Sequence, residues 1–248
     1  MQRFAFEIQY HGGKYVGWQH QLNGLSVQDK IGSILNRLFN SHNINIIGCG
    51  RTDTGVHAHR YFFHVDLENK FDINQLRFKM NRMLPDDISI SYIHLVYNQF
   101  HARFDAKERI YRYFIHQEKN PFLNDLSLFF PQKLNIKKMN EACEYLLGKH
   151  DFTSFSKRHT DVKTNICIVN HALWVKDSDH KLYFEISADR FLRNMVRAIV
   201  GTLIEVGLEN IDPKEVKYII KKKNRSVAKY SVPAHGLFLW NIKYEEIS

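Results

Sequence analysis

The pattern of apolar and polar residues in this chain of 248 residues predicts an α/β (α+β) protein made of two ferredoxin-like or RNP-like halves. Two observations support this fold class. Segments that alternate apolar with polar residues, as half-buried strands do, are interspersed with segments whose apolar residues recur at helical spacing. The order strand, helix, strand, strand, helix, strand ends near residue 105, and a similar order then starts again. We therefore expect mostly antiparallel sheets in an N-terminal half, residues 1–105, and a C-terminal half, residues 106–248.

The N-terminal half begins with an alternating segment, residues 3–10, which predicts a strand. Ser26 is a suitable N-cap for the first helix. The apolar face of that helix is predicted to comprise Val27, Ile31, Ile34, Leu35 and Leu38. The other predicted elements of this half are strands at 44–47, 61–66 and 88–96 and a helix at 74–83. Residues 98–105 are expected to form an extended crossing segment.

The C-terminal half repeats this alternation of strands and helices. Its predicted elements are a strand at 108–116, a helix at 140–147, a hairpin-like pair at 166–175 and 182–188, helices at 192–206 and 213–222, and a closing strand at 236–244. The hairpin-like pair predicts antiparallel strands in this half as well.

The charge of the chain indicates a polyanionic partner. Lys and Arg number 35 against 26 Asp and Glu, a formal net charge of +9 with a pI near 9.3. No apolar segment approaches the length of a membrane span, and the N-terminus is strand-like rather than typical of a signal peptide. Nucleic acid is therefore favoured over a membrane surface, with charge kept only for solubility as the alternative.

The three cysteines, Cys49, Cys143 and Cys167, are odd in number and widely spaced. This pattern does not fit a disulfide framework or a zinc site, and it favours a reducing cytoplasm. Cys49 lies close to the candidate catalytic loop. No histidine can be paired with it from the sequence, so we expect a small buried side chain rather than a nucleophile.

The segment at residues 50–58, Gly-Arg-Thr-Asp-Thr-Gly-Val-His-Ala, places one carboxylate between two threonines and two glycines. Thr and Gly disfavour a helix, and the flanking segments are predicted strands, so Asp53 is expected on a tight loop. Catalytic side chains are often displayed on such loops. The alternative is an aspartate that only hydrogen-bonds its own turn.

This segment resembles the signature of the tRNA pseudouridine synthase A family, in which the aspartate is the catalytic residue. Four further segments match the family in order and spacing, at 100–106, 108–113, 193–197 and 233–239. The resemblance covers nearly the whole chain. Departures are Thr54, where Ala is common, His11, where Asp is common, and Arg60-Tyr61, where a Gly-Gln pair is common. The last two departures concern details of RNA contact.

The resemblance implies a pseudouridine synthase fold, with a basic catalytic cleft between the two halves. It also implies a homodimer that isomerises uridine at positions 38, 39 and 40 of the tRNA anticodon arm without a cofactor. Asp53 would be catalytic, and Tyr111 would contact the target base. Arg197 would pair with Asp53, Leu237 would pack near the base, and Arg51 would contribute to substrate binding.

Residue chemistry alone leaves alternatives for these side chains. Tyr111 and Tyr113 lie on one face of a predicted strand, where rings can stack on a base or pack in a core, and we expect Tyr113 to pack. Arg193 and Arg197 are four residues apart on a predicted helix. They would share a basic face, which Arg190 joins, or form an ordinary solvated stripe. Leu237 is equally compatible with a core position.

Three histidines, His57, His59 and His64, lie close together, but no cysteine or carboxylate follows a recurring metal-ligand spacing. We expect structural or RNA-contacting roles and no metal. The basic residues 221–225 are expected on a solvated face that also contacts phosphate. Two other functions remain open: a non-catalytic RNA-binding module, and a hydrolase with an aspartate nucleophile, against which the lack of a second paired carboxylate weighs.

Overall fold

The structure, a computed structural model, describes residues 1–68, 71–157 and 163–247. Contacts within the chain define two compact units, Met1–Lys107 together with Phe238–Ser248, and Glu108–Leu237. Each unit combines helices with a mostly antiparallel sheet, which confirms the predicted fold class.

The two units differ from the predicted halves in two respects. The first unit extends to Lys107 rather than residue 105, and it also takes in the C-terminal segment from Phe238. The reason is strand pairing, since Phe238 and Leu239 pair in parallel with His57 and Ala58. Sequence order alone assigned this closing strand to the C-terminal half, because local patterns do not reveal the partner of a strand.

The first unit follows the predicted order of strands and helices. Its elements are β1 (Gln2–Tyr10), α1 (Val27–Leu38), β2 (Ile47–Gly48), β3 (His57–Leu67), α2 (Ile73–Met83) and β4 (Ile88–Val96), with β10 (Leu237–Lys243) returning at the end of the chain. The sheet order is β4-β1-β3-β10, and β2 is a short partner of β3. β1 pairs antiparallel with both neighbours, so that Phe6 lies opposite Phe63 with ring centroids 4.8 Å apart.

Helix α1 begins after Ser26, the predicted N-cap, which forms a capping box with Asp29. The Ser26 hydroxyl accepts the Asp29 N–H at 3.1 Å, and the Asp29 carboxylate accepts the Ser26 N–H at 3.1 Å. The buried residues of α1 are Val27, Ile31, Ile34 and Leu35, four of the five predicted, while Leu38 is half-buried.

Two predicted segments of this unit are different in the structure. The strand expected at 44–47 is reduced to β2, because the side chains of α1 bind the backbone there. Asn36 accepts the Ile44 N–H at 2.9 Å, and Gln28 donates to the Ile46 carbonyl at 3.0 Å. Residues 98–105 form turns rather than an extended segment, since the N–H groups of Phe104 and Asp105 both bond the His101 carbonyl.

The second unit contains the remaining elements. These are β5 (Glu108–His116), β6 (Leu128–Phe129), α3 (Ile136–Cys143), β7 (Gly148–Asp151), β8 (Ile166–Ser178), β9 (Lys181–Ala188), α4 (Met195–Gly207) and α5 (Glu215–Lys222). The sheet order is β5-β9-β8-β7, antiparallel throughout, and β6 pairs in parallel with β5. α3 begins four residues before the predicted start at Asn140, because Asn135 caps it by accepting the Lys138 N–H at 3.1 Å.

The buried side chains of each unit include its cysteines. Cys49, Cys143 and Cys167 are all buried and reduced, which confirms Cys49 as a buried side chain. Burial raises the pKa of the Cys167 thiol to about 12, so this thiol is protonated at neutral pH. In the described residues, no helix combines the length and the apolar character that spanning a membrane would need.

Candidate catalytic residues

Asp53 lies on the loop between β2 and β3, as predicted. Residues 53–56 form a turn in which the Val56 N–H donates to the Asp53 carbonyl at 3.1 Å, with Gly55 in a left-handed conformation at φ 78°. Asp53 is half-buried, whereas its neighbour Thr52 is buried and Arg51 is exposed. The loop therefore holds a carboxylate at the border between the interior of the unit and its surface.

Two tyrosine hydroxyls attach this loop to the sheet. Tyr61 donates to the Gly50 carbonyl at 2.5 Å, and the Tyr10 hydroxyl lies 2.9 Å from the Thr52 hydroxyl. Both tyrosines are buried. Burial raises the pKa of the Tyr61 phenol well above its ordinary value, so it remains a neutral hydrogen-bond donor. Gly50 and Thr52, the residues on either side of Arg51, are thus fixed to the sheet. Asp53 comes directly after Thr52, so its position depends on these two contacts.

The glycine-rich segment after β1 supports the other side of the loop. A Cβ on Gly12 would lie 2.0 Å from the Val56 carbonyl oxygen, and one on Gly17 would lie 2.3 Å from the Thr52 carbonyl oxygen. Gly17 also has a φ of 101°, a conformation that other residues rarely adopt. These glycines permit a close backbone approach that positions the Asp53 loop.

The histidines of β3 have structural surroundings. His57 is buried, accepts the Gly12 N–H at 3.0 Å through Nδ1, and stacks on Phe238 with centroids 4.5 Å apart. The exposed His59 stacks on Trp240 at 4.1 Å. Across the part of the chain that the structure describes, no group of three or more His, Cys, Asp or Glu side chains is arranged to hold a metal ion.

The departures from the family pattern at His11 and at Arg60-Tyr61 are explained by packing in the first unit. Arg60 donates to the buried Glu7 carboxylate at 2.9 Å, and Tyr61 is fully buried. His11 lies against His57 with ring centroids 4.3 Å apart, and its Nδ1 accepts the Gly13 N–H. These side chains therefore contribute to the framework around the Asp53 loop.

Tyr111 and Tyr113 lie on β5 in the second unit, opposite Ile186 and Phe184 of β9. Tyr113 is fully buried and donates to the Pro233 carbonyl at 3.0 Å, which confirms that it packs. Tyr111 is only half-buried, and its ring meets Phe191 edge-on at 5.0 Å. The two rings on the same side of one strand thus differ in exposure, and Tyr111 keeps an accessible surface.

Arg197 lies in the first turn of α4. Its Nε donates to the Val232 carbonyl at 2.7 Å, and the Val232 N–H returns a bond to the Arg197 carbonyl at 3.2 Å. The segment around Val232 runs close to α4, because a Cβ on Gly201 would lie 1.9 Å from the Tyr230 carbonyl oxygen. The half-buried guanidinium is therefore held in place through its Nε donor.

The predicted basic face that pairs Arg193 with Arg197 is wrong. α4 begins at Met195, and Asn194 before it is in a left-handed conformation at φ 67°, which places Arg193 outside the helix. The Asn194 side chain donates to the Ser231 hydroxyl at 2.7 Å, so a contact distant in sequence stabilises this break. Residues four apart share a helix face only where the helix is continuous.

The remaining predicted site residues are distributed over both units. Leu237, at the start of β10, is buried with 5% exposure. In the basic run, Lys221 and Lys222 are exposed, while Lys223 pairs with Asp151 at 3.1 Å. Arg225 donates to the Ser231 hydroxyl and to the Ala228 carbonyl. The run is therefore only partly a solvated face, since two of its cations stabilise the fold.

Comparisons with known proteins identify the class to which this protein is similar. A family model described as tRNA pseudouridine synthase matches residues 142–245. Related proteins then define the family within that class. The chain is 46% identical to a tRNA pseudouridine synthase A from Parabacteroides distasonis, over 99% of this chain and 97% of that protein.

Proteins of the same name from Bacteroides fragilis and Bacillus subtilis are 44% and 37% identical, each over at least 98% of both chains. The chain belongs to the tRNA pseudouridine synthase A family. A solved structure described as a Cbf5-Nop10-Gar1 complex covers 82% of this chain and 45% of its own, with 12% identity and a TM-score of 0.38. That likeness is too distant to carry an argument.

Proposed function

We propose that this protein isomerises uridine to pseudouridine in the anticodon arm of tRNA, at positions 38, 39 and 40, with Asp53 as the catalytic residue. The observation that carries the proposal is the Asp53 loop itself. A half-buried carboxylate lies on a loop that two buried tyrosine hydroxyls and two close glycine contacts hold in place. Such preorganisation is what catalysis by a single side chain requires.

The reaction needs a positioned carboxylate and access to the nucleotide, but no oxidant or reductant. The bond between N1 of uracil and C1′ of ribose breaks, the base turns, and a bond between C5 and C1′ forms. The hydrogen on C5 is lost, and N1 gains one. A stacked uridine hides C1′ from any side chain, so the nucleotide leaves the stack before Asp53 acts.

Two routes fit a single aspartate. In one, the Asp53 carboxylate attacks C1′ and holds the sugar covalently while the base turns. In the other, it removes the hydrogen at C2′ and so starts an elimination that releases the base. A substrate with deuterium at C2′ of the target uridine separates them, because a primary isotope effect on a rate-limiting elimination is expected only for the second route.

The proposal gives the other site residues supporting roles, which come from the family resemblance. Tyr111 holds the target base with its half-exposed ring, and Arg197 orients the Asp53 carboxylate. Arg51 contacts the substrate from its exposed position on the same loop, and Leu237 packs near the base. Supporting observations are the half-burial of Tyr111 and Arg197, the strand pairing of the Tyr111 backbone and the bond from the Val232 N–H to the Arg197 carbonyl.

We also propose the oligomeric state of the protein, its compartment and the part of the tRNA on which it acts. The enzyme acts as a homodimer in the cytoplasm on the anticodon arm of its tRNA substrates. The net charge of +9 supports an RNA partner, and three reduced, buried cysteines are consistent with a reducing compartment. Sedimentation of the purified protein, with and without tRNA, tests the dimer.

The decisive experiment incubates the protein with unmodified tRNA transcripts and maps pseudouridine base by base. We expect modification confined to positions 38, 39 and 40, with no added cofactor. Transcripts that carry cytidine at those positions are the control and should remain unmodified. Tight tRNA binding without any pseudouridine would instead support the alternative of an RNA-binding module that has the scaffold but not the reaction.

A further inference from the structure

An exposed aromatic surface, separate from Tyr111, lies on the turn that follows β4. Phe104 is 74% exposed, the Arg103 guanidinium lies 5.6 Å from its ring centroid, and the His101 ring lies 4.2 Å away at a tilt of 31°. We call these three residues, His101, Arg103 and Phe104, the Phe104 platform. An aromatic face beside a cation is the combination that proteins use to stack on unpaired bases of RNA.

The backbone of this turn is fixed by hydrogen bonds at each N–H from residue 101 to residue 105. The His101 N–H donates to the Asp105 carboxylate at 2.7 Å, and the Arg103 N–H donates to His101 Nδ1 at 3.2 Å. The N–H groups of Phe104 and Asp105 both donate to the His101 carbonyl. The turn is therefore well ordered, although it presents a large apolar side chain to solvent.

The platform is also attached to the sheet. The Ala102 N–H donates to Nδ1 of the buried His64 at 3.1 Å, and the Tyr244 hydroxyl donates to the Ala102 carbonyl at 2.5 Å. Burial lowers the pKa of His64 to about 4 and lowers the pKa of His101, so both rings remain neutral acceptors at neutral pH. Because the backbone beside Phe104 is fixed in this way, the turn loses little conformational entropy when a ligand stacks on the Phe104 ring.

Isolated exposed apolar side chains are common, and exposure alone does not indicate a binding site. Phe122, which is 88% exposed in the second unit, is an example of such a side chain. Phe104 differs because a guanidinium and an imidazole flank its ring and because its turn is anchored to β3. The flanking cation favours a ligand that combines a flat ring with negative charge.

The platform is distant from the Asp53 loop within the same unit. The loop leads into His57 at the start of β3, whereas the platform is attached at His64. Seven residues along a strand correspond to about 23 Å. A base on Phe104 is therefore a different nucleotide from the uridine that Asp53 would attack.

We propose that the Phe104 platform stacks on an unpaired base of the tRNA, separate from the target uridine, while Arg103 contacts the adjoining backbone phosphate. This inference rests on the proposed function, because it takes tRNA as the ligand. It adds a second point of attachment to the RNA, through an aromatic ring rather than through charge alone.

The test measures binding of an unmodified tRNA transcript and formation of pseudouridine by the wild-type protein and its variants. Phe104→Ala should weaken tRNA binding roughly 5- to 150-fold, the range found for removing one base-stacking ring. Phe104→Tyr, which keeps the ring, should restore affinity. The slope of log affinity against log salt should not change in Phe104→Ala, since stacking releases no counterions, whereas Arg103→Ala should reduce it by about one.

Phe122→Ala is the matched control, because it removes a still more exposed ring that has no flanking cation among the described residues, and it should bind tRNA like the wild type. An independent readout uses Phe104→Trp and Phe122→Trp. Addition of tRNA should quench the tryptophan emission that Phe104→Trp adds, while the emission added by Phe122→Trp should not respond. This readout does not depend on how well the alanine variant folds.

Three outcomes would overturn the inference. The first is wild-type affinity in Phe104→Ala together with an unquenched Phe104→Trp. The second is loss of binding that follows dissociation of a dimer in sedimentation, which would make the platform a contact between two copies of the chain. The third is an equal loss in Phe122→Ala. A wild-type protein that forms no pseudouridine at all would instead refute the proposed function, so the two failures are distinguishable.

Discussion

The Asp53 loop and the proposed site residues of the second unit are held in place by different means. Tyr111 is positioned by the antiparallel ladder between β5 and β9, and Arg197 by the first turn of α4. Asp53 lies on a loop, outside the strands and helices. Its loop depends on two tyrosine hydroxyls and on glycines that let another backbone approach closely. A loop site therefore depends on a few contacts, each of which one substitution removes, whereas a site on a strand or helix depends on many.

The largest effect is expected at Asp53, the proposed catalytic residue. Asp53→Asn keeps the shape of the side chain and removes its charge and its nucleophilic oxygen. Pseudouridine formation should fall by roughly a thousandfold or more, beyond the middle of the range for losing a catalytic acid or base. Binding of tRNA should change little, since phosphate contacts dominate affinity. Substantial product formation by this variant, in single-turnover assays with enzyme in excess over tRNA, would remove Asp53 from the catalytic role.

A substitution at Arg197 tests the contribution of the proposed site residue on α4. Arg197→Lys keeps the positive charge but loses the planar fork and the Nε donor that binds the Val232 carbonyl. We expect the rate of modification to fall about 10- to 100-fold, the cost of one or two charge-assisted hydrogen bonds, with a modest loss of tRNA affinity. Weak binding combined with normal turnover would make Arg197 an ordinary phosphate contact.

Tyr111 tests whether the strand presents a ring or a hydroxyl. Tyr111→Ala removes the ring and should reduce activity roughly 5- to 150-fold, the value of one stacked base. Tyr111→Phe keeps the ring and the edge-on contact with Phe191, so its activity should remain close to that of the wild type. The measurement is the kcat of both variants on one tRNA substrate. An equal loss of kcat in the two would assign the role of Tyr111 to its hydroxyl rather than to its ring.

Gly17 tests the close approach that supports the Asp53 loop. Gly17→Ala places a Cβ 2.3 Å from the Thr52 carbonyl oxygen at a φ of 101°, so the loop has to shift. We expect a loss of about 1–3 kcal/mol in the free energy of unfolding and a lower kcat. Gly50→Ala is the control on the same loop, because a Cβ there meets nothing within 4 Å. The free energy of unfolding in urea and the kcat should both be lowered in Gly17→Ala and unchanged in Gly50→Ala. Equal losses in the two variants would contradict the role of the close approach of Gly17 to Thr52.

The smallest effect is expected at Tyr10. Tyr10→Phe removes one buried hydrogen bond to Thr52, which should cost about 0.5–1.5 kcal/mol of stability and lower kcat without raising KM. A double-mutant cycle with Thr52→Val measures the coupling between the two hydroxyls. Ser154→Ala, which removes a buried bond to the Ile219 carbonyl in the second unit, should lose similar stability and retain kcat. A kcat loss in both variants would attribute the effect to stability alone.

The sequence by itself determined the class of the fold and the candidate residues. Period-2 and helical patterns are local, so they identified β1, α1, α2 and β4 with ends within about two residues. The capping box at Ser26 was predictable for the same reason, since its two partners lie three residues apart. The Asp53 segment was recognisable because its residues are contiguous, and the relatives at 37–46% identity confirm the family that it indicated.

The tertiary structure alone decided which residues support these elements. Nothing local to Asn194 predicts that its backbone breaks the helix before Arg197, because the contact that stabilises the break comes from Ser231. The return of β10 to β3, the hydroxyl of Tyr10 beneath Thr52 and the approach of Gly17 to the same residue also join distant parts of the chain. Sequence patterns report the periodicity of an element, whereas its partners are set by the packing of the whole unit.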